Sequence, residues 1–282
     1  MTNPLTTPRA DRLITLALEE DAVKHDVTSR AIFPRGHRSA AIIDAKQDLV
    51  ICGLPIAIEV FRRVDRRLKT KLLVRDGDLV RRGAEVMRIE GPTASLLAAE
   101  RTALNFLQRL SGIATQTRRY VDVVRHTRVR LVDTRKTTPG WRALEKYAVR
   151  TGGGHNHRMS LRDLVLIKDN HIAAAGSLTA AVEKCRAAAP RGMKIEVEAK
   201  TLREVSEAVA ARADIILLDN MTPARIRAAV KLIAGRATIE VSGGVRFETL
   251  RRFALPGVDL ISIGALTHSA TAADLSLDLR AL

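Results

Sequence analysis

The chain has 282 residues, enough for one large domain or for a large and a small one. It is 46% hydrophobic, so it can bury a real core, but its apolar runs are short and sit between charges, which excludes a membrane-spanning helix. The formal charge of +16, from 47 basic and 31 acidic residues, favours anionic partners. Aromatics at 3%, with no zinc-finger spacing and no polybasic tail, argue against nucleic acid among them.

The first residues, MTNPLTTPRAD, lack a cationic segment followed by an apolar one, so no secretory leader is expected. Cys52 and Cys185 lie far apart and read as buried free thiols of a cytoplasmic protein. DRLITLALEED (11–21) has helical periodicity. SAAIIDAKQDLVICG (39–53) predicts two short strands and a turn. LLVRDGDLVRRGAEVMRIEG (72–91) predicts a small sheet with turns at Asp76-Gly77 and Arg82-Gly83. A helix follows from Thr93 to Leu110, with Pro92 near its start. Ser111-Gly112 is expected to interrupt it before a second helix that runs to about His126.

From there the pattern is regular. Apolar runs at 129–133, 164–169, 194–199, 214–220, 238–244 and 258–264 alternate, in the later part, with helical segments. Such βα repetition implies parallel strands with right-handed crossovers. The expected fold class is α/β. Six such runs fit an incomplete barrel better than a full eight-stranded one, and a doubly wound open sheet is the main rival. No GxGxxG follows the first strand and no GxxxxGK[ST] occurs, so dinucleotide and P-loop sites are unsupported.

Each run ends in polar or glycine residues, at the strand ends where α/β proteins place their active sites. Arg135 and Lys136 follow the first run, and Arg158 and Lys168 come from the next unit. The arginine fork suits carboxylates, and lysine suits phosphate as a point charge. Glu198 and Asp219 end neighbouring strands, where they could hold Mg²⁺ on a diphosphate or meet ribose hydroxyls. Glu196 shares a face with Glu198 and reads as an interior charge paired to arginine or lysine. Ser242, Gly243, Gly244 and Gly264 end the last two runs and could cradle phosphate through backbone N–H groups. In RTGGGHNHRMSLRDLVLIKDNH (150–171), His155 and His157 make a weak zinc signal without a supporting cysteine, and the cationic lining favours an anion.

Several stretches in order carry a further signal: EEDAVKHDVTS, EGPTASLLAAERTALNFLQRLSGIATQT, DTRKTTPGWRALEKYAV, GGGHNHRMSLRDLVLIKDNH, IEVEAKTLRE, ADIILLDN, VSGGV and GVDLISIGALTHS. On these the chain resembles the quinolinate phosphoribosyltransferase family over nearly its whole length. The resemblance implies an N-terminal open α/β sandwich (1–112), an incomplete α/β barrel (113–268) and a C-terminal tail (269–282) that rejoins the first domain. It implies a dimer, or multiples of one, in which Arg101 reaches the partner's site. Arg135, Arg158 and His157 would bind the two carboxylates of quinolinate, with Lys136 near both substrates. Lys136 and Lys168 would meet phosphoribosyl-pyrophosphate, Glu198 and Asp219 its ribose and Mg²⁺, and Ser242, Gly243, Gly244 and Gly264 its phosphate. Asn170, His171 and His268 would play supporting roles. The chain departs from the family pattern at His25, where glycine is usual, at Ala94, where an arginine is usual, and at Ala199-Lys200.

Overall fold

The computed structural model describes residues 7–280. The contacts divide the chain into two compact units. The first runs up to Arg118 and includes Thr137–Gly153 and the chain from Leu266 onward. The second comprises Arg119–Lys136 and Gly154–Ala265.

In the first unit, α1 (Pro8–Glu20) starts where the Thr7 side chain accepts from the Ala10 N–H and Pro8 takes a position that needs no donor. It buries Ala10 and Ile14. A short helix α2 (Val27–Ile32) follows, capped by Asp26. Then come β1 (Arg38–Ala45), β2 (Leu49–Val50), α3 (Leu54–Val64), β3 (Lys69–Leu72), β4 (Leu79–Val80) and β5 (Glu85–Pro92). The expected turns at Gly77 and Gly83 are present, both with positive φ. The Asp76 carboxylate reaches from the first of these turns to the start of α3, accepting from the Gly53 and Leu54 N–H groups at 3.0 Å each. The last strand, β12 (Leu275–Arg280), pairs antiparallel with β1, from Ala40↔Arg280 to Ala45↔Leu275. The order is β12-β1-β5-β3, with β2 and β4 as a separate ribbon.

The helix after β5 differs from expectation. α4 runs unbroken from Thr93 to Val124. Ser111 and Gly112 do not interrupt it because their smallness serves packing. The Ser111 hydroxyl accepts from the Cys52 N–H at 2.9 Å and donates to the Cys52 carbonyl at 3.2 Å. A Cβ on Gly112 would collide with the Thr271 carbonyl. Helix propensity charges glycine about 1 kcal/mol in a helix interior, and close tertiary packing overrides that. A further helix of this unit, α5 (Arg142–Thr151), buries Leu144, Tyr147, Ala148 and Val149.

The second unit carries six parallel strands at the six predicted places: β6 (Arg130–Val132), β7 (Val165–Ile167), β8 (Ile195–Ala199), β9 (Ile215–Asp219), β10 (Thr238–Ser242) and β11 (Leu260–Ser262). Between them lie α6 (Asp169–Ala175), α7 (Leu178–Ala188), α8 (Leu202–Ala210), α9 (Pro223–Ile233) and α10 (Leu250–Phe253). A short α11 (Ala265–His268) follows β11. Spatial order is β6-β11-β10-β9-β8-β7. The order never reverses direction, as a doubly wound sheet would, and the first strand neighbours the last. This is an α/β fold with a partial, barrel-like parallel sheet, open between β6 and β7.

Parity sorts the side chains. In β8, Ile195, Val197 and Ala199 turn toward the helices, where α7 and α8 bury Val182, Val205 and Ala208. Burying such a side chain stabilises the fold by about 1.5–3 kcal/mol for the larger ones. The alternate residues Glu196 and Glu198 therefore face inward. No described helix is long and apolar enough to cross a membrane.

Candidate active site in the barrel-like unit

The opening between β6 and β7 is partly filled by the HNH segment. His155 makes a parallel bridge with Val132. Its N–H donates to the Leu131 carbonyl at 2.8 Å, and its carbonyl accepts from the Asp133 N–H at 3.1 Å. Asp133, fully buried, accepts from the His157 N–H at 2.9 Å and from the Asn156 side chain. The loop is thus ordered by the end of β6, and His155 contributes its backbone while its side chain stays exposed.

At the carboxyl ends of the strands, the Lys168 ammonium lies 3.0 Å from a Glu198 oxygen. The Lys168 N–H donates to His171 Nδ1 at 3.0 Å, which fixes the start of α6. Asp219 stands on the next strand, one diagonal step from Glu198, in register with Ser242 of β10. It accepts from the Asn220 side chain at 3.1 Å. Asn220 adopts φ +54° and donates its N–H to the Ser242 carbonyl at 2.9 Å. Gly243, at φ +87°, lies so close to Asn220 that a Cβ would meet its amide and backbone nitrogen. Only glycine fits there. Gly264 follows β11, and Lys136 is exposed beyond β6, its N–H bonded to Thr134 Oγ1 at 3.0 Å. Of the departures, Lys200 has a visible partner: its ammonium lies 2.7 Å from Asp169.

Arg158 is half-buried and donates to the Leu164 carbonyl at 3.0 Å. Its pKa is lowered, first by burial and then by the positive charge of Arg135; Glu196 and Asp163 oppose the shift. An anion beside Arg158 would offset both its burial and the positive charge of Arg135.

Below this level lies a buried cluster. His157 Nε2 is 3.1 Å from Glu196 Oε2 and 3.3 Å from Glu240 Oε2. The glutamates are 0% and 1% exposed. Glu196 is an interior charge as expected, but its ion-pair partner is a histidine, not a lysine or arginine: His157 is the group that the loop inserts from the open side. Glu240 sits two residues before Ser242 and so shares its inward parity, but a lone acid in an apolar strand gives no local sign of its partner. Burial raises the Glu196 carboxyl. For His157 burial acts the other way, but the hydrogen bonds of Glu196 and Glu240 outweigh it and push the pKa up to about 10. However, His157 Nδ1 accepts the Arg158 N–H at 2.8 Å, so the imidazole has no room for a second proton there. We read the shifts as one proton retained between Nε2 and the carboxylates.

His157, Glu196 and Glu240 have ligand atoms within 4.8 Å of one another and could hold a divalent metal. A cavity of about 560 Å³ borders His157 and Arg158 and opens among residues that begin strands, such as Arg130, Lys194 and Leu260. It does not coincide with the Lys168–Glu198 end. Arg101 lies elsewhere, exposed on α4 in the first unit, in a groove with Leu13, Leu16, Asp21 and Trp141.

Fold and site together define an α/β protein on a partial barrel, with the cationic and acidic side chains of Lys168, Glu198 and Asp219 gathered at its strand ends. Comparison with known proteins narrows the class. The family models for the N-terminal and C-terminal domains of quinolinate phosphoribosyl transferase match residues 26–111 and 113–278. The chain belongs to the quinolinate phosphoribosyl transferase family. It is 45% identical over 259 residues to a Bacillus subtilis protein named probable nicotinate-nucleotide pyrophosphorylase (carboxylating), covering 92% of this chain and 89% of that one. The crystal structure of NadC from Streptococcus pyogenes superposes with a TM-score of 0.95 at 43% identity, covering all of both chains. The nicotinate-nucleotide pyrophosphorylase from Francisella tularensis does so with a TM-score of 0.93 at 38% identity, covering 99% of this chain and 100% of that one.

Proposed function

We propose that this chain is a quinolinate phosphoribosyltransferase: it converts quinolinate and phosphoribosyl-pyrophosphate to nicotinate mononucleotide, pyrophosphate and CO₂, a step of NAD biosynthesis. The observation that carries the reading is the match of the chain to both quinolinate phosphoribosyl transferase family models, over residues 26–111 and 113–278; Arg135, beyond the end of β6, and the half-buried Arg158 supply two guanidiniums for a small acid. A dicarboxylate satisfies both through paired hydrogen bonds. A monocarboxylate such as nicotinate would engage only one of them.

In the first step the pyridine nitrogen attacks the anomeric carbon as the bond to the pyrophosphate oxygen breaks. In the second the ring carbon–carboxylate bond breaks and CO₂ leaves. The electron pair stays on the ring carbon, stabilised by the adjacent positively charged nitrogen, and then takes up a proton. No covalent protein nucleophile is required. The protein contributes positioning and charge. Arg135 and Arg158 orient the carboxylates. Lys136 and Lys168 face the pyrophosphate, and Ser242, Gly243, Gly244 and Gly264 receive phosphate. Glu198 and Asp219 meet the ribose hydroxyls and stabilise the positive charge growing on the sugar. Arg101 is supplied from the neighbouring subunit of a dimer.

Mg²⁺, when bound, neutralises the leaving pyrophosphate. An oxygen-only pair near solvent suits an ion that keeps several waters, so Glu198 and Asp219 fit it better than the buried trio with its imidazole. Two unbridged cysteines, Cys52 and Cys185, suit a cytoplasmic setting. The test is direct. The purified protein is mixed with quinolinate, phosphoribosyl-pyrophosphate and Mg²⁺, and CO₂ and nicotinate mononucleotide are measured. Turnover is expected that nicotinate cannot support. No product across a range of metals and pH sinks the proposal.

A further inference from the structure

Two lysines and two acids cross over at the carboxyl ends of β7 and β8. Lys168, just past β7, pairs with Glu198 of β8 at 3.0 Å, and Lys200, just past β8, pairs with Asp169 at 2.7 Å. Lys200 is one of the places where the chain departs from the family pattern. It continues the inward row of Glu196 and Glu198 by two more residues. After Asp169, the charges that act on its ammonium are those of Glu198 and Asp219. Lys200 therefore faces the same strand ends as Lys168.

Its backbone is fixed and its side chain is not. The N–H groups of Lys200 and Thr201 donate to Glu204 Oε2 at 2.6 and 3.0 Å, and the Thr201 hydroxyl accepts from the Glu204 N–H at 3.2 Å, the reciprocal cap of α8. The ammonium ends a flexible four-carbon stem and is half-exposed, as is the carboxylate that holds it. An ion pair in that much water contributes little, so exchanging the Asp169 carboxylate for a phosphate oxygen costs little. Asp169 does not depend on the lysine: its other oxygen accepts the Asn170 N–H at 2.8 Å. Charge balance gives the exchange a reason. Asp169, Glu198 and Asp219 place three carboxylates around Lys168 and Lys200, and a pyrophosphate group arriving there adds further negative charge. A cation passed from a carboxylate to the ligand offsets that repulsion.

We propose that Lys200 is a further pyrophosphate-binding residue: Asp169 holds its ammonium before the substrate arrives, and the ammonium then turns to the pyrophosphate group of phosphoribosyl-pyrophosphate. The proposal rests on the function given above for this strand end. The probe is inorganic pyrophosphate, titrated calorimetrically into the full-length protein. Lys200→Gln should raise its Kd about tenfold, the size of one charge-assisted hydrogen bond lost. Kd for quinolinate should stay within about twofold, because its carboxylates are assigned to other side chains. Lys200→Arg, which keeps the charge, should recover most of the loss. An Asp169→Asn background separates binding from bracing. If Lys200 meets the ligand, Lys200→Gln still costs about tenfold there. If it serves only to hold Asp169, the second change costs nothing and the proposal falls. Equal weakening for quinolinate and pyrophosphate overturns it as well.

A second measurement needs no variant. Brief acetylation of the wild-type protein, read by peptide mass spectrometry, should label Lys200 less when pyrophosphate is present, while the exposed Lys231 of α9 is labelled as before. Labelling of Lys200 that ignores pyrophosphate overturns the proposal. Wild-type protein in which pyrophosphate shields Lys200 but which makes no product from quinolinate sinks the functional reading instead, and leaves Lys200 a pyrophosphate-binding residue.

Discussion

Replacing Arg109 by methionine tests how the first unit holds a buried charge. The Arg109 guanidinium donates to Glu145 Oε1 at 2.7 Å and to the carbonyls of Thr267 and Ala270 at 2.7 and 2.8 Å. Glu145 is 0% exposed, and its carboxylate also accepts from the N–H and hydroxyl of Thr138. Methionine fills most of the arginine's volume but leaves a buried carboxylate with no cation. Breaking one partner of a buried pair costs about 3–5 kcal/mol. Arg109 is itself a quarter exposed, so water can reach part of the gap, and the lower end applies, about 3 kcal/mol. At roughly 2–4 °C per kcal/mol for a chain of this size, the melting midpoint should fall by about 6–12 °C. The assay is thermal and urea unfolding of Arg109→Met, of Glu145→Gln and of the double variant. Because Glu145→Gln removes the charge but keeps an acceptor for Thr138, the double variant should regain about 1–2 kcal/mol over Arg109→Met alone. A double variant no more stable than the single one refutes the buried-charge argument. A loss under about 1 kcal/mol for Arg109→Met shows that the pair behaves as a surface ion pair.

Subunits carrying Arg101→Ala and Lys168→Ala, each inactive alone, should partly restore turnover when mixed; no rescue despite confirmed subunit exchange rules out a shared site. Gly243→Ala forces φ +87° on a residue with a Cβ and pushes it into Asn220, at about 1–2 kcal/mol of local strain. It should weaken binding of phosphoribosyl-pyrophosphate about tenfold, and unchanged binding by titration calorimetry would remove Gly243 from the phosphate loop. Glu59 is held by Arg62 and Arg63 at 2.6 and 2.7 Å, and the Arg62 hydrogen bonds, against burial and aided by Arg63, lower its pKa from 4.5 to about 2. A depressed carboxylate stabilises the fold above its unfolded pKa and loses that contribution as pH falls through the folded value. Glu59→Gln should therefore cost about 1–2 kcal/mol at neutral pH, discounted for partly solvated arginines, and the gap to wild type should close as pH falls from 4.5 toward 2. A gap independent of pH would mean packing, not charge.

Much of this protein was determined by local pattern. Six apolar runs became six parallel strands, because alternation and run length depend only on near neighbours in sequence. Lys168, Glu198, Asp219 and Ser242 could be assigned to strand ends for the same reason, and inward parity followed from their spacing. Tertiary structure decided the rest. Ser111-Gly112 looks like a break when its propensity alone is considered, and stays helical because Cys52 and Thr271 pack against it. Glu240 reads as one acid in an apolar strand until sheet order places it opposite Glu196, with His157 inserted between them. No spacing says that Arg109 and Glu145 pair, and no local pattern in β12 names β1 as the strand it pairs with. Periodicity fixes which face of an element is buried; only long-range closure of the chain fixes which charge it is buried against.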